Sequence, residues 1–516
     1  MKIIKITSLV ILLACLASST AFASRPQAAA PDFAAIDAYV EAQMKDIGLP
    51  GVALAIVHGD QIVHMKGFGI ADPSGRPMTP QTPVMLASLA KPMTGLAIMQ
   101  LVEAGQIDLD APVQRYLPWF RVADEAASAQ ITVRHLLYHT SGLPESAGAE
   151  YGWNGDDRAD ALEQQVRGLA TVNLIDPVGA AYHYSNPNYR VLGLLIQEIS
   201  GQSYEMYMQA HVFDPLEMRR TFTSPEAAQP HGLAQGYRFL YGLPMPFVEP
   251  FDRGGVASGG TIASAEDVAH FLIANLNNGR YGNVQLVSAQ GIAEMQRPVT
   301  PLGDEMEAWD WIVRSSDGTT VLTKGGDLAS YKTNMALYPE GEWGFVVLIN
   351  GSDRFAPLLG DLRIPGIAIG LNSLMLGQQP PNLASNNPLF YHLFVALVAL
   401  VQLTGMVRSA ITFRRWQRQP AHSPRGPWGQ ARYIGLPLIV NLFWGLVMLI
   451  GVPTILGGYP LSFLMYATPD LGYLLVVSGG VAAVWSVVRT AWAYFALRGT
   501  RLGDLIAAQK PALAHK

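Results

Sequence analysis

The 516-residue chain holds one cysteine, Cys15, and that scarcity removes several chemistries at once. No disulfide can form within one chain, and neither thiol catalysis nor a cysteine-ligated metal site can be built. Charge is also scarce: 15% of the residues are charged, where soluble domains average about 25%. The net charge is −5 with no domain-wide basic excess, which excludes nucleic acid as a partner. No Gly-x-Ser-x-Gly elbow occurs, which counts against an α/β-hydrolase. There is no internal repeat and no low-complexity tract.

Half of the chain is hydrophobic, and the apolar residues are unevenly placed. The amino end, "MKIIKITSLVILLACLASSTAFAS", has a basic start at Lys2 and Lys5 and an apolar core over 6–17. Ala21-Phe22-Ala23 then offers a small-residue cleavage site, so residues 1–23 read as an export signal. The apolar core is too short to span a bilayer of ~30 Å. "LLAC" is also compatible with lipoprotein processing at Cys15, so cleavage after Ala23 and lipidation of Cys15 both stay open.

The composition changes near Leu376. Residues 25–376 form a domain rich in short alternating stretches, 377–388 are a polar, proline-rich linker, and 389–498 carry three long apolar runs. The runs, about 389–407, 433–456 and 471–488, are each long enough to cross a bilayer as a helix and show almost no polar face. Between the first two lie Arg408, Arg414, Arg415, Arg418, Arg425 and Arg432 without an acidic residue, whereas Asp470 alone separates the second from the third. Arg489, Arg498, Arg501 and Lys510 follow, the last three in or beside a tail at 499–516. Arginine-rich loops stay cytoplasmic, so the order is out-to-in, in-to-out, out-to-in. Together with the export signal this predicts a multi-pass protein of the bacterial inner membrane with its large domain on the periplasmic side. The lipid bilayer is then one partner, and nothing in the sequence names a protein partner.

Within 25–376, "FAAIDAYVEAQMKDIGLPG" reads as an amphipathic helix ended by Gly48 and Pro50. "GVALAIVHGDQIVHMKGFGIA" reads as a hairpin turning at His58 to Gln61. After a largely helical middle, "WDWIVR", "TTVLTKG", "YKTNMALYP" and "WGFVVLIN" read as strands. Strands at both ends with helices between predict an α+β fold whose single antiparallel sheet draws on both ends of the domain.

Three short motifs bear on chemistry: "SLAK" at 88–91, "YSN" at 184–186 and "KGG" at 324–326. Each is weak alone, since a Ser-x-x-Lys can be a helix cap with a solvated lysine. A serine hydroxyl needs a base beside it, and at the start of a helix residue i+3 shares its face, so Lys91 can reach Ser88. Lys91 acts as a base only with a lowered pKa, which burial and a second cation at Lys324 would give. Tyr184 beside both lysines would have its own pKa lowered and could relay a proton. Asn186 offers a donor and an acceptor, suited to a substrate amide and Lys91 together. His135 and His139 have the i, i+4 spacing of zinc ligands, but Leu136 stands where a metalloprotease has its glutamate, so a structural role is expected. "SAED" at 264–267 reads as a capping box. No metal or other cofactor is called for.

In their order, and with "ITVRHLLYHTSGLP", "YHYSNPNYRVLGLLIQEISGQSY", "PLEMRRTFT" and "GGVASGGTIASAEDVAHFL" around them, these motifs resemble the serine β-lactamase and penicillin-binding-protein superfamily over about 33–352. The likeness is strongest to its class C β-lactamase, D,D-peptidase and esterase branch. It implies a β-lactamase-like antiparallel sheet flanked by helices, with a helical subdomain, followed here by the three membrane helices. It implies catalytic roles for Ser88, Lys91 and Tyr184, and substrate contacts from Asn186, Lys324, Gly325, Gly326 and Asp327. The backbone N–H groups of Ser88 and Asp327 would form the oxyanion hole. The third motif departs from the usual Lys-Thr-Gly, because Gly325 has no hydroxyl and Asp327 adds a negative charge. At ~5 Å and an effective dielectric near 20, that charge would repel a substrate carboxylate by about 3 kcal/mol. The resemblance therefore implies a membrane-anchored serine hydrolase forming an acyl-enzyme on Ser88 with a small-molecule ester or an envelope peptide or amide. β-Lactamase and D-alanyl-D-alanine carboxypeptidase activity stay open beside it, as does a non-catalytic acyl-sensing membrane receptor.

The topology is directly measurable. Alkaline phosphatase fused after Lys516 should be inactive, because that reporter folds only outside the cytoplasm; an active fusion would refute an odd number of crossings.

Overall fold

The strand Gly51–His58 (β1) has no polar face, because both of its faces are covered. Ala53, Ala55 and Val57 point into a large core, while Val52, Leu54 and Ile56 point into a second, smaller one. The sheet between these two cores is the frame of the domain. In the computed structural model residues 30–316, 318–353, 362–382, 388–424, 426–456 and 460–497 are described. The export signal with Cys15, residues 383–387 of the linker, Arg425 and the tail at 499–516 lie outside them.

The other strands used below are Gln61–Gly69 (β2), Gly236–Leu240 (β3), Leu243–Phe247 (β4), Thr300–Leu302 (β5) and Glu305–Ala308 (β6). Trp311–Ser316 (β7), Thr319–Asp327 (β8), Lys332–Tyr338 (β9) and Trp343–Ile349 (β10) follow. Eight of them form one antiparallel sheet in the order β2-β1-β10-β9-β8-β7-β6-β5. The first strand pairs with the last, Val52 opposite Ile349 through His58 opposite Trp343, so both ends of the domain meet in the sheet. This is the mixed α+β arrangement that the strand and helix patterns predict.

Helix Phe33–Ile47 (α1) buries Ile36, Val40 and Met44, one residue per turn. Asp32 caps its start by accepting from Ala35 N, and Gly48 at φ 78° ends it in the left-handed region. Together with a later helix, Arg363–Met375, it covers the smaller core. The other face of the sheet carries the helical subdomain, including Ala90–Glu103 (α2), Asn186–Ser200 (α3) and Ala265–Leu276 (α4). Helix α2 is buried almost all round, which makes it the centre of the larger core.

Two local readings are corrected. "WDWIVR" is not one strand: Trp309 and Asp310 sit at φ 42° and 70° and form the two-residue turn between β6 and β7. "SAED" is half a capping box. Ser264 accepts from Asp267 N, but the Asp267 carboxylate turns to Arg220 N and the Thr221 hydroxyl.

Beyond the domain, Leu393–Arg418, Pro427–Ile455 and Pro469–Leu497 are helices long and apolar enough to cross a membrane. They extend past the apolar runs, taking in Arg414, Arg415 and Arg418 on the first and Arg489 on the third. A short helix that the hydropathy pattern does not predict, Leu461–Ala467, lies between the second and third.

At its carboxyl end β8 runs against the turn that opens α2. A Cβ at Gly326 would stand 2.4 Å from Leu86 O and 2.3 Å from Thr333 Oγ1, whereas one at Gly325 would meet nothing nearer than Asn334 Nδ2 at 3.7 Å. Gly326→Ala should therefore destabilise the domain by about 1–3 kcal/mol, and Gly325→Ala should change stability by less than about 0.5 kcal/mol. Urea unfolding of the two variants in parallel checks this; equal effects would place the close approach elsewhere.

Candidate active site

Ser88 sits in a tight turn, Ala87–Leu89, that passes directly into α2. Ala87 holds φ 52°, a strained value for a residue with a side chain, immediately before the serine. Lys91 is the second residue of the helix, so its side chain lies under Ser88. Pro92 is accommodated at the third position, where a backbone N–H has no partner within the helix.

Lys91 is fully buried, and its surroundings define the site. Its Nζ is 3.1 Å from Ser88 Oγ, 2.6 Å from Tyr184 Oη, 2.8 Å from Asn186 Oδ1 and 2.6 Å from the carbonyl of Ser258. Ser88 Oγ and Tyr184 Oη are themselves 2.6 Å apart. Tyr184 and Asn186 reach this point because they lead into α3, whose first residue is Asn186. Burial lowers the Lys91 pKa to about 7; the Asp310 carboxylate opposes the shift and the Lys324 ammonium adds to it. A neutral amine here has two acceptors, Asn186 Oδ1 and Ser258 O, for its two N–H bonds. Its lone pair is then left for the two hydroxyls.

Lys324, on β8, lies with its Nζ 5.0 Å from the centre of the Tyr184 ring, and Lys91 Nζ is at 4.8 Å. It also makes a buried ion pair with Asp310, Nζ to Oδ2 2.6 Å. Asp310 in turn accepts from His139 Nε2 at 3.1 Å. The Nδ1 of His139 accepts from Ser185 N and Asn188 Nδ2, both at 3.1 Å, which fixes the proton on Nε2. Burial keeps His139 neutral by lowering its pKa. Burial works against the Asp310 charge, but Lys324 and His139 outweigh it and hold that carboxyl below its usual range. Glu307, which accepts from Asp310 N at 2.5 Å, is pushed well up by burial.

Two expectations about charge change accordingly. Tyr184 does not have a lowered pKa: burial, with Asp310 adding to it, raises it well above the usual value, so it is a neutral phenol. Asp327 borders the cleft, but its carboxylate faces Lys332 Nζ at 3.3 Å and accepts from Ser352 Oγ at 3.1 Å. Along β8, Lys324 and Gly326 alternate with Gly325 and Asp327, so the second pair has its side-chain positions on the opposite face of the sheet. The repulsion expected from Asp327 is thus largely compensated.

The cleft beside Ser88 encloses about 130 Å³. Asn186 and Asp327 border it, and the segment from Glu249 to Asp252 forms one wall. Glu249 Oε1 accepts from Ser330 N at 2.6 Å and Ser330 Oγ at 2.8 Å, in the loop that follows Asp327. Behind the wall, Asp252 pairs with Arg190 at 3.0 Å.

Of the eight residues singled out from the three motifs, Ser88, Lys91, Tyr184, Asn186, Lys324 and Gly326 gather around this point and Asp327 borders the cleft, whereas Gly325 faces the other side of the sheet beside Arg314 and Asn334. His135 stands apart, its Nδ1 accepting from Thr132 N and closing a capping box with Thr132. Among the described residues no group of three or more histidine, aspartate or glutamate side chains could hold a metal ion. Sequence reasoning missed Asp310, Glu249 and the Ser258 carbonyl. Asp310 had a signal, a carboxylate between two tryptophans, whereas a backbone carbonyl has none.

The family description "Beta-lactamase" matches residues 36–364. Protein flp of Staphylococcus aureus (strain MW2) is 27% identical over 327 residues, 63% of this chain and 64% of that protein, so the match leaves a third of the relative uncovered. Penicillin-binding protein 4 of Amycolatopsis lactamdurans is 28% identical over 341 residues, 62% of this chain and 88% of that protein. The octameric penicillin-binding protein homologue from Pyrococcus abyssi is 27% identical with a TM-score of 0.58, covering 68% of this chain and 79% of that one. A class C β-lactamase from Rhodobacter sphaeroides shares the fold at 21% identity and a TM-score of 0.51, over 62% of this chain and 94% of that one. With its sheet closed by both ends of the domain and a match over most of that domain, the chain belongs to the β-lactamase family of serine hydrolases.

Proposed function

We propose that this protein is an exported serine hydrolase, held in the bacterial cell membrane by its three carboxy-terminal helices with the cleft on the periplasmic side. The observation that carries this reading is the fully buried Lys91, with the hydroxyls of Ser88 and Tyr184 both within hydrogen-bond reach. A lysine shifted to about 7 is half deprotonated at neutral pH, which suits a general base.

In the proposed reaction Lys91 takes the Ser88 proton, directly or through Tyr184, as Oγ bonds to the substrate carbonyl carbon. The backbone N–H groups of Ser88 and Asp327 hold the resulting oxyanion. The bond from that carbon to the leaving oxygen or nitrogen then breaks, and Tyr184 delivers the proton to the leaving group while Lys91 replaces it. Water attacks the acyl-enzyme by the same steps reversed and frees Ser88. Lys324 lies beside the Tyr184 ring and is itself fixed by Asp310, while Asn186 orients both Lys91 and the substrate. Gly326 lets β8 approach the serine. Gly325 leaves that strand without a hydroxyl. The substrate is an ester, or a peptide or amide of the envelope.

Two measurements test the mechanism. Ser88→Ala should lose labelling by a fluorophosphonate and lower kcat by about 10³-fold or more while the fold persists. kcat/KM for a neutral ester should rise about tenfold per pH unit below pH 7 and level off above it, because the active form is the neutral amine whose pKa is about 7. A profile flat from pH 5 to 9 would remove Lys91 as the base.

A further inference from the structure

The hairpin formed by β3 and β4 is the most apolar exposed feature of the catalytic domain. Leu243 is 64% exposed, Met245 45% and Val248, just beyond the strand, 79%. Its tip is the two-residue turn Tyr241-Gly242, both residues at positive φ, so Leu240 and Leu243 close the ladder as a hydrogen-bonded pair. In an antiparallel ladder such pairs alternate. The hydrogen-bonded positions of β4 are therefore Leu243, Met245 and Phe247, and the outward-facing ones are 244 and 246. Both outward positions are proline. An edge strand normally presents a row of free N–H groups, which invites another strand in water and is costly in lipid. Here both of those donors are missing, which disfavours strand pairing with a second copy and lowers the cost of contact with hydrocarbon.

The position of the hairpin names what it touches. Tyr241 N donates to Asp470 Oδ1 at 2.8 Å, and Asp470 is the second residue of the helix Pro469–Leu497. The tip thus lies level with the end of a membrane-spanning helix. Arg238, opposite Met245, packs its guanidinium on the Phe247 ring at 4.2 Å and donates to Met465 O at 3.2 Å. The face carrying Leu243 and Met245 is therefore continuous with the face that meets residues 461–467. The chain then leads straight into the cleft wall, whose Glu249 accepts from Tyr466 Oη at 2.7 Å, while Phe463 packs on Trp153 at 4.9 Å.

We propose that the Leu243–Met245 face enters the periplasmic leaflet of the bilayer and that the adjoining cleft takes an amphiphilic ester or amide resident in that leaflet. The inference rests on the serine hydrolase reading for its chemistry and on the hairpin alone for its location. The cleft wall is tied to the membrane segment through Tyr466 and Glu249, so the mouth stays at the lipid surface. A substrate with a long acyl tail then reaches Ser88 without leaving the bilayer, whereas a short soluble one gains nothing from it.

The test uses the full chain in nanodiscs of phosphatidylethanolamine and phosphatidylglycerol. p-Nitrophenyl palmitate is dissolved in the same bilayer and p-nitrophenyl acetate in the water. Leu243→Asp/Met245→Asp should keep acetate hydrolysis within about twofold and lose about tenfold or more on palmitate, since the apolar area set in lipid is lost. A nitroxide on Leu243→Cys should be relaxed more by oxygen than by a water-soluble nickel chelate. Equal losses on both esters, an unchanged palmitate rate, or a nitroxide reached mainly by nickel would each overturn the proposal. A doubling of mass in the nanodisc that the variant abolishes would assign the face to a second copy instead. If the parent hydrolyses neither ester and resists fluorophosphonate, the hydrolase reading fails, while the nitroxide result still decides the location of the hairpin.

Discussion

Taking the amino group of Lys91 out of water shapes the whole domain. A charged lysine surrounded by protein is costly, and the structure meets that cost by lowering its pKa and by placing two fixed carbonyl acceptors around it. Those acceptors come from distant parts of the chain, Asn186 at the head of one helix and Ser258 in a glycine-rich turn. Burial so complete needs helix α2 at the centre of the larger core. The first helix residues must then lie against the sheet, which only a glycine at 326 allows. Each of these constraints follows from a single nitrogen.

Lys324, Asp310 and His139 form the second part of the same electrostatic problem. A second ammonium near Lys91 favours the neutral amine, and Asp310 faces that ammonium as its buried ion-pair partner. Lys324 and the proton on His139 Nε2 together hold the Asp310 carboxyl below its usual range against burial. The pair therefore presents a screened cation to the Tyr184 ring. Burial, with Asp310 adding to it, leaves the phenol neutral, able to pass a proton on without being a base itself.

The carboxy-terminal helical segment is built into the domain as well as attached after it. Tyr466, Phe463 and Asp470 each touch a part of the catalytic domain close to the cleft wall, and Glu249 is shared between Tyr466 and the Ser330 loop. A simple tether would need none of these contacts. These contacts fix how the carboxy-terminal helices sit against the domain.

Local pattern decided much of this protein in advance. The two-sided apolar strand at 51–58, the helix with Ile36, Val40 and Met44 on one stripe, and the three long apolar runs are legible because their physics is set by neighbours a few residues apart. The spacing of Ser88 and Lys91 is legible for the same reason, as one helical turn. The order of the three motifs located the remaining catalytic candidates through resemblance. What only the tertiary structure decided is where charge is compensated. Asp327 reads as a bare negative charge until Lys332 and Ser352 are seen beside it, and Tyr184 reads as acidified until its burial is known. Asp310 meets His139, and Glu249 meets Ser330 and Tyr466, each more than eighty positions away along the chain. The turn at Trp309 and Asp310 and the helix at 461–467 are settled by packing, which overrides local preference. The energy of a buried charge depends on everything folded around it, and no short stretch of sequence contains that sum.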